Sequence, residues 1–243
     1  MTKVETDIIT RLRREILPLQ GYKPCQTERQ RFRGLSPIEA AFPDNRFPTG
    51  AIHEFMTTSS SSAAATTGFI YSLLTNLMNK GQAAIWITKS HQLFPVALAQ
   101  FNIAPDRLII IEANKEKELL WVTEEALKCE GLAAVICEIP DISLIASRRL
   151  QLAVETSGIT GMIMRNTLKN NITSAIARWR ISSLPCKTPN DLPGLGFPRW
   201  NIALEKVRNG RPASWQFEWN GNQHREILPE RTMNITQLNR KTG

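Results

Sequence analysis

The chain predicts an α/β protein, with a mainly parallel sheet flanked by helices and extended by C-terminal antiparallel strands. Three observations carry that expectation. Short continuous apolar runs at 83–87 (AAIWI), 108–111, 132–137 and 160–164 (TGMIM) have strand length and no polar face, as strands covered on both sides require. Segments of helical period separate them, the pattern of a sheet wrapped by helices. After Arg165 the runs change to apolar–polar alternation at 175–182 (AIARWRIS) and 201–207, as half-exposed strands do.

Taken in order, residues 6–17 (TDIITRLRREIL) place Ile8, Ile9, Leu12 and Ile16 at helical spacing, and Pro18 ends the run. Residues 21–34 are polar and aperiodic, so 1–34 reads as an amphipathic helix and a linker. Residues 51–56 (AIHEFM) form the first strand. Residues 62–79 form an Ala-rich helix with Phe69, Leu73 and Leu77 on one face. Residues 92–101 read as a helix, because Pro95 is tolerable in a first turn. Asn114 is placed to cap a helix over 115–129 that Gly131 ends. Helix 142–157 turns Ile142, Ala146, Leu150 and Ala153 inward and Arg148, Gln151 and Glu155 outward.

Arg208-Asn209-Gly210-Arg211 is a hairpin turn leading into 214–219 (SWQFEW). One folded domain is expected over 35–220, with a disordered tail over 221–243.

The net charge of +8 is uneven: residues 1–47 contribute +3, 48–164 contribute −3 and 165–243 contribute +8. A basic C-terminal third on a slightly acidic core suits a nucleic-acid or acidic-protein partner, or simply a solvated surface. No apolar window reaches membrane-span length, and the first residues lack the apolar core of a secretion signal, so a cytoplasmic location is expected. Cys25, Cys129, Cys137 and Cys186 have no C-x-x-C spacing, which argues against a metal site or a disulfide framework; Cys137 reads as core. His53, His91 and His224 are too scattered for a catalytic dyad.

A first strand running into a helix is where phosphate-binding loops sit. Such a loop needs glycines so that amides can curl around phosphate, a Lys for the β/γ charge, and a hydroxyl for Mg²⁺. Here residues 56–68 read MTTSSSSAAATTG, with no Lys and no Gly before Gly68. No bound nucleotide or other cofactor is expected, and hence no phosphoryl transfer.

PTGAIHEF, the Ser/Ala-rich junction, AAIWITKSHQLFPVALAQFNIAPDRLIII, EALKCEGLAAVICEIPD and GMIMR together resemble the nucleotide-binding core of RecA over residues 35–165. The resemblance implies a RecA-like, P-loop-type fold. It puts the degenerate nucleotide site at Thr57, Ser62, Ala63, Ala64, Ser90 and Glu138. Ala63 stands where the family has its Lys, Ala64 where it has the Mg²⁺ hydroxyl, and Ser90 where it has the catalytic Glu. Glu138 retains the acid of the strand end, as a vestigial Mg²⁺ position or a helix-capping acid.

LRREILPLQGYKP, FPTGAIHEF, EEALKCEGLAAVICEI, ASRRLQLAVE and GFPRWNIALEKVRNGRPASWQFEW resemble the ImuA family more closely, over residues 8–219. That resemblance implies a non-catalytic accessory protein of DNA-damage-induced, error-prone translesion synthesis. The implied partners are an ImuB-like Y-family polymerase homologue and an error-prone replicative-type polymerase, with RecA and DNA as further contacts. SulA-type division inhibitors, which bind FtsZ, share the truncated core and give the alternative function. They lack the N-terminal helix and the tryptophan-rich hairpin.

In RecA-like folds the loops after the fourth and fifth strands face DNA. This makes Arg148, Arg149, Arg165 and Lys169 candidate phosphate contacts, against the plainer reading of a solvated helix face and a surface connector. Arg178 and Arg180 alternate with Trp179, near Trp200, Trp215 and Trp219. These strands would stack bases or anchor a partner, or else the tryptophans form core.

Overall fold

The computed structural model describes Leu12, Ile16 and residues 32–78, 81–89, 96–167, 169, 171–186 and 196–228. Leu12 and Ile16 are helical and exposed. The rest of the expected helix 6–17, most of the linker, residues 92–95 and the tail from 229 lie outside the described residues.

One nine-stranded sheet organises the domain, in the order β3-β2-β4-β5-β1-β6-β7-β8-β9. β1 (Ile52–Thr57), β2 (Ala84–Thr88), β3 (Leu108–Glu112), β4 (Ala134–Ile139) and β5 (Thr160–Asn166) run parallel. β6 (Ala177–Leu184) continues this sense beside β1, then pairs antiparallel with β7 (Arg199–Val207). It is the strand at which the sheet changes character. β8 (Ala213–Trp219) and β9 (His224–Glu226) complete the antiparallel part.

Among the described residues between 32 and 228, five α-helices accompany the sheet: α1 (Ser36–Glu39), α2 (Ser60–Leu77), α3 (Val96–Ala99), α4 (Glu116–Lys128) and α5 (Leu144–Ser157). Because side chains alternate across a strand, each face has its own core. On one face α2 packs Phe69, Leu73 and Leu77 with Phe55, Trp86, Trp179, Trp200 and Trp219. On the other, α4 and α5 pack Leu119, Leu127, Leu150 and Val154 over Ile52, Val135, Cys137 and Ile163. A fully buried side chain of this size contributes roughly 1.5–3 kcal/mol. The tryptophans are therefore largely core: Trp179, Trp200 and Trp219 are buried, and Trp215 is half-buried.

Four local expectations need correction. Helix α4 begins at Glu116 with Lys115 as its N-cap and no side-chain cap, so Asn114 does not fill that role. The helix expected to run to residue 101 ends at Ala99, with Gln100 and Phe101 in a turn; residues 92–95 lie outside the described residues. Gln151 points inward, not outward: it is buried, its Oε1 accepts from the Ile52 amide at 3.3 Å, and its amide donates to Glu155. A side-chain amide serves here because the start of a central strand leaves a backbone N–H that must be paired. Finally, His224–Glu226 is a strand, not part of a disordered tail.

His224 explains that last difference. It is buried and shares a hydrogen bond of 2.8 Å with the Ser72 hydroxyl of α2, while its amide donates to the Arg33 carbonyl. Gly34 makes the approach possible. Its φ is +78°, and a Cβ there would lie 1.9 Å from the His224 carbonyl oxygen. We expect Gly34→Ala to cost roughly 1–3 kcal/mol of stability and to raise amide exchange at 224–226. Wild-type protection of those amides in the variant would show that the contact is unimportant.

Candidate functional site

Helix α2 starts almost at once after β1, with only Thr58 and Ser59 between them. Ser59 is the N-cap and forms a capping box with Ser62. The Ser62 amide donates to Ser59 Oγ at 3.2 Å, and the Thr58 and Ser59 amides donate to Ser62 Oγ at 2.9 and 3.0 Å. Amides that would curl around a phosphate thus already hold hydroxyl partners from the same turn. The Thr57 hydroxyl is likewise engaged, donating to the Arg165 carbonyl inside the sheet.

Beyond this junction lies a cavity of about 440 Å³, lined by Ser60, Ala63, Ala64, Thr67 and Gly68 of α2 together with Tyr71, Phe101, Glu138, Met164 and Trp200. Ala97, Gln100 and Pro198 complete its wall. Ala63, Ala64 and Glu138, expected together from the sequence, are therefore brought together, whereas Ser90 lies outside the described residues. Glu138 is not a helix cap. Its Oε1 accepts from Trp86 Nε1 at 2.7 Å and its Oε2 from the Thr88 hydroxyl at 3.0 Å. Among the described residues no Lys or Arg lines the cavity, and no group of three or more His, Cys, Asp or Glu is placed to hold a metal ion.

The candidate cations behave in two ways. Arg165 and Arg178 are buried, so neither is available to a phosphate backbone. Both grip Glu54, itself buried: Arg165 Nη1 at 3.4 Å from one oxygen, and Arg178 Nε and Nη2 each at 3.0 Å from the other. Arg165 also reaches Asp141 at 2.6 Å. Burial opposes ionisation of Asp141, but the Ile142 amide and Arg165 outweigh it and hold the carboxyl below its ordinary range. Arg178 Nη2 donates to the Asn171 carbonyl at 2.7 Å, and Asn171 donates in turn to Asp141. This network ties the segment after β5 to the sheet.

The remaining candidates face solvent. Arg148 and Lys169 are exposed, Arg149 is exposed and paired with Glu124, and Arg180 is exposed and paired with Glu205. Glu54 and Asp141 carry the network and were not among the sequence candidates.

His53 is buried, accepting from Trp179 Nε1 at Nδ1 (3.2 Å) and donating from Nε2 to the Pro48 carbonyl (2.7 Å). His53 and His224 bond to different partners and not to each other, so they form no dyad; His91 lies outside the described residues. Cys137 is buried, and burial pushes its thiol up to about 12, so it is inert; Cys129 and Cys186 are exposed free thiols.

No protein-family model matches the chain. Among curated proteins it is 35% identical over 195 residues to Protein ImuA from two strains of Caulobacter vibrioides, covering 75% of this chain and 80% of the relative. The chain belongs to the ImuA family. The fold has a solved counterpart in the crystal structure of the RadB recombinase, with a TM-score of 0.53 at 14% identity over 75% of this chain and 93% of that one. This ImuA-family chain therefore has a RecA-like fold, with a mostly parallel sheet, flanking helices and C-terminal antiparallel strands. No helix among the described residues is long and apolar enough to cross a membrane.

Proposed function

We propose that this chain is a non-catalytic, RecA-like accessory protein of DNA-damage-induced, error-prone translesion synthesis. It works beside an ImuB-like Y-family polymerase homologue and an error-prone replicative-type polymerase, with RecA and DNA as further contacts. Family membership supports the setting. The observation that carries the non-catalytic half is the β1–α2 junction, a two-residue connection whose amides are capped by its own serines. Alanines and a carboxylate stand beyond it, where a phosphate site needs a Lys. An anion entering there would meet Glu138 with no compensating cation on the described wall. Transfer of a phosphoryl group depends on the positioning and charge neutralisation that this wall does not supply.

The exposed Arg148, Arg149, Lys169 and Arg180 are the residues we assign to partner or DNA contact, since Arg165 and Arg178 are held within the fold. Two measurements test the reading. Calorimetric titration of the full chain with Mg·ATP should be flat, and co-purification with an ImuB-type protein should yield a stable complex. Saturable ATP binding that is lost on Glu138→Ala would overturn the non-catalytic reading. Failure to capture the polymerase relative would overturn the adaptor role.

A further inference from the structure

The described wall of the 440 Å³ cavity carries one ionisable carboxylate, that of Glu138, and no base. Two neutral donors from β2 aim it, one on each oxygen. A carboxylate has about four acceptor positions, so both oxygens retain capacity toward the cavity. Its field reaches the Tyr71 phenol in the same wall, which burial and then the Glu138 charge push up to about 12.

Most of the rest of the lining is apolar or aromatic, with Ala63, Ala64, Ala97, Met164 and Pro198 beside Tyr71, Phe101 and Trp200. Tyr71 and Phe101 stand with ring centroids 5.6 Å apart, and Tyr71 stands 5.4 Å from Trp86. A half-buried carboxylate with no cation on the described wall is poorly compensated in such surroundings. Aromatic faces attract cations, so the walls and the carboxylate select for the same sign. The cavity repels what a phosphate loop attracts. A guanidinium fits better than an ammonium because it is planar, stacks on aromatic rings and forks onto a carboxylate. The volume falls within the range of small-ligand pockets and exceeds one side chain, leaving room for the apolar stem and its neighbours.

We propose that this cavity is a receptor for an arginine side chain presented by a partner protein, stacked against the aromatic wall and paired with Glu138. The proposal rests on the reading that the cavity holds no nucleotide. In effect, a site of nucleotide-binding shape has had its polarity reversed and takes a protein's cation.

The test titrates the full chain with three probes: the peptide acetyl-Gly-Arg-Gly-amide, the same peptide with neutral citrulline in place of arginine, and Mg·ATP. Ligand-observed NMR and tryptophan fluorescence follow binding. The arginine peptide should saturate, and the citrulline peptide should bind at least about ten-fold more weakly, the worth of one modest charge pair. Glu138→Gln should weaken the arginine peptide by a similar factor. Should Glu138→Gln fail to fold, Ala63→Leu narrows the cavity without touching the carboxylate and should abolish the signal.

Equal binding of the two peptides, or no saturation of the arginine peptide below about 10 mM, overturns the proposal. If ATP also fails to bind, the non-catalytic reading survives that result. Saturable ATP binding that is lost on Glu138→Ala overturns both.

Discussion

Replacing Glu54 with Ala is expected to remove about 3–5 kcal/mol of stability, enough to unfold much of the protein at ordinary temperature. Glu54 sits on β1 in the middle of the sheet and is the shared counter-ion of Arg165 on β5 and Arg178 on β6. All three are buried. Removing the carboxylate takes away the counter-ion that two interior guanidinium groups share, although Asp141 and neutral groups of the 171–173 segment still contact them. Desolvation of unpaired charge, not the loss of one attractive contact, makes the effect large.

Glu54→Gln keeps an acceptor and should cost less. Urea denaturation of both variants, with unchanged m-values, checks the ranking. A Glu54→Ala variant as stable as the parent would mean that the arginines find water or new partners. In a second readout, the segment after β5 should lose protease resistance in Glu54→Ala, because Arg178 also holds the Asn171 carbonyl.

The second large effect is acid lability well above the pH at which carboxylates titrate. His53 and His224 are buried, and burial lowers each ring from 6.5 to about 4; the Pro48 and Arg33 carbonyls pull the other way without offsetting it. In the unfolded chain both rings take protons near pH 6.5, while the folded chain resists until about pH 4. Between those values the unfolded state binds more protons, so stability rises with pH. Stability is therefore complete above pH 6.5 and is lost progressively as the pH falls toward 4. At pH 5 the loss is on the order of 2 kcal/mol per histidine, about 4 kcal/mol for the pair.

Asp141 acts with the same sign, but its contribution disappears only below the ordinary carboxylate range, outside this window. Urea midpoints from pH 7.5 to 4.5 should fall steeply. The fall should be halved in His224→Gln, provided that variant folds at neutral pH. A flat profile would show that both rings ionise freely in the folded state.

The parallel core was legible because its strands announce themselves as apolar runs, and β7 and β8 because they alternate around the Asn209 turn. What escaped the sequence has a common cause. Arginine is nearly always exposed, so Arg165 and Arg178 were read as reaching outward. They lie on the same sheet face as Glu54, and that pairing depends on strand order: β1 separates β5 from β6, although residue 54 is over 100 positions away in the chain. Gln151 was misread for a related reason, since a polar residue on a helix looks solvated until a strand amide needs it. For the candidate site, sequence spacing gave the members Ala63, Ala64 and Glu138. The aromatic wall was invisible because Tyr71, Phe101 and Trp200 come from three separate stretches of chain.

The seam between residues 32–34 and β9 has a mechanical consequence. Residues 32–34 lie against β9, where His224 donates its amide to the carbonyl of Arg33. Residues 33 and 224, far apart in the chain, are thus held side by side, and the chain between them is a loop sealed by a short non-covalent zipper. Tension applied between residues 33 and 224 would load that seam before the parallel strands. His224 would therefore take the load first, and β9 would have to yield before the parallel strands did.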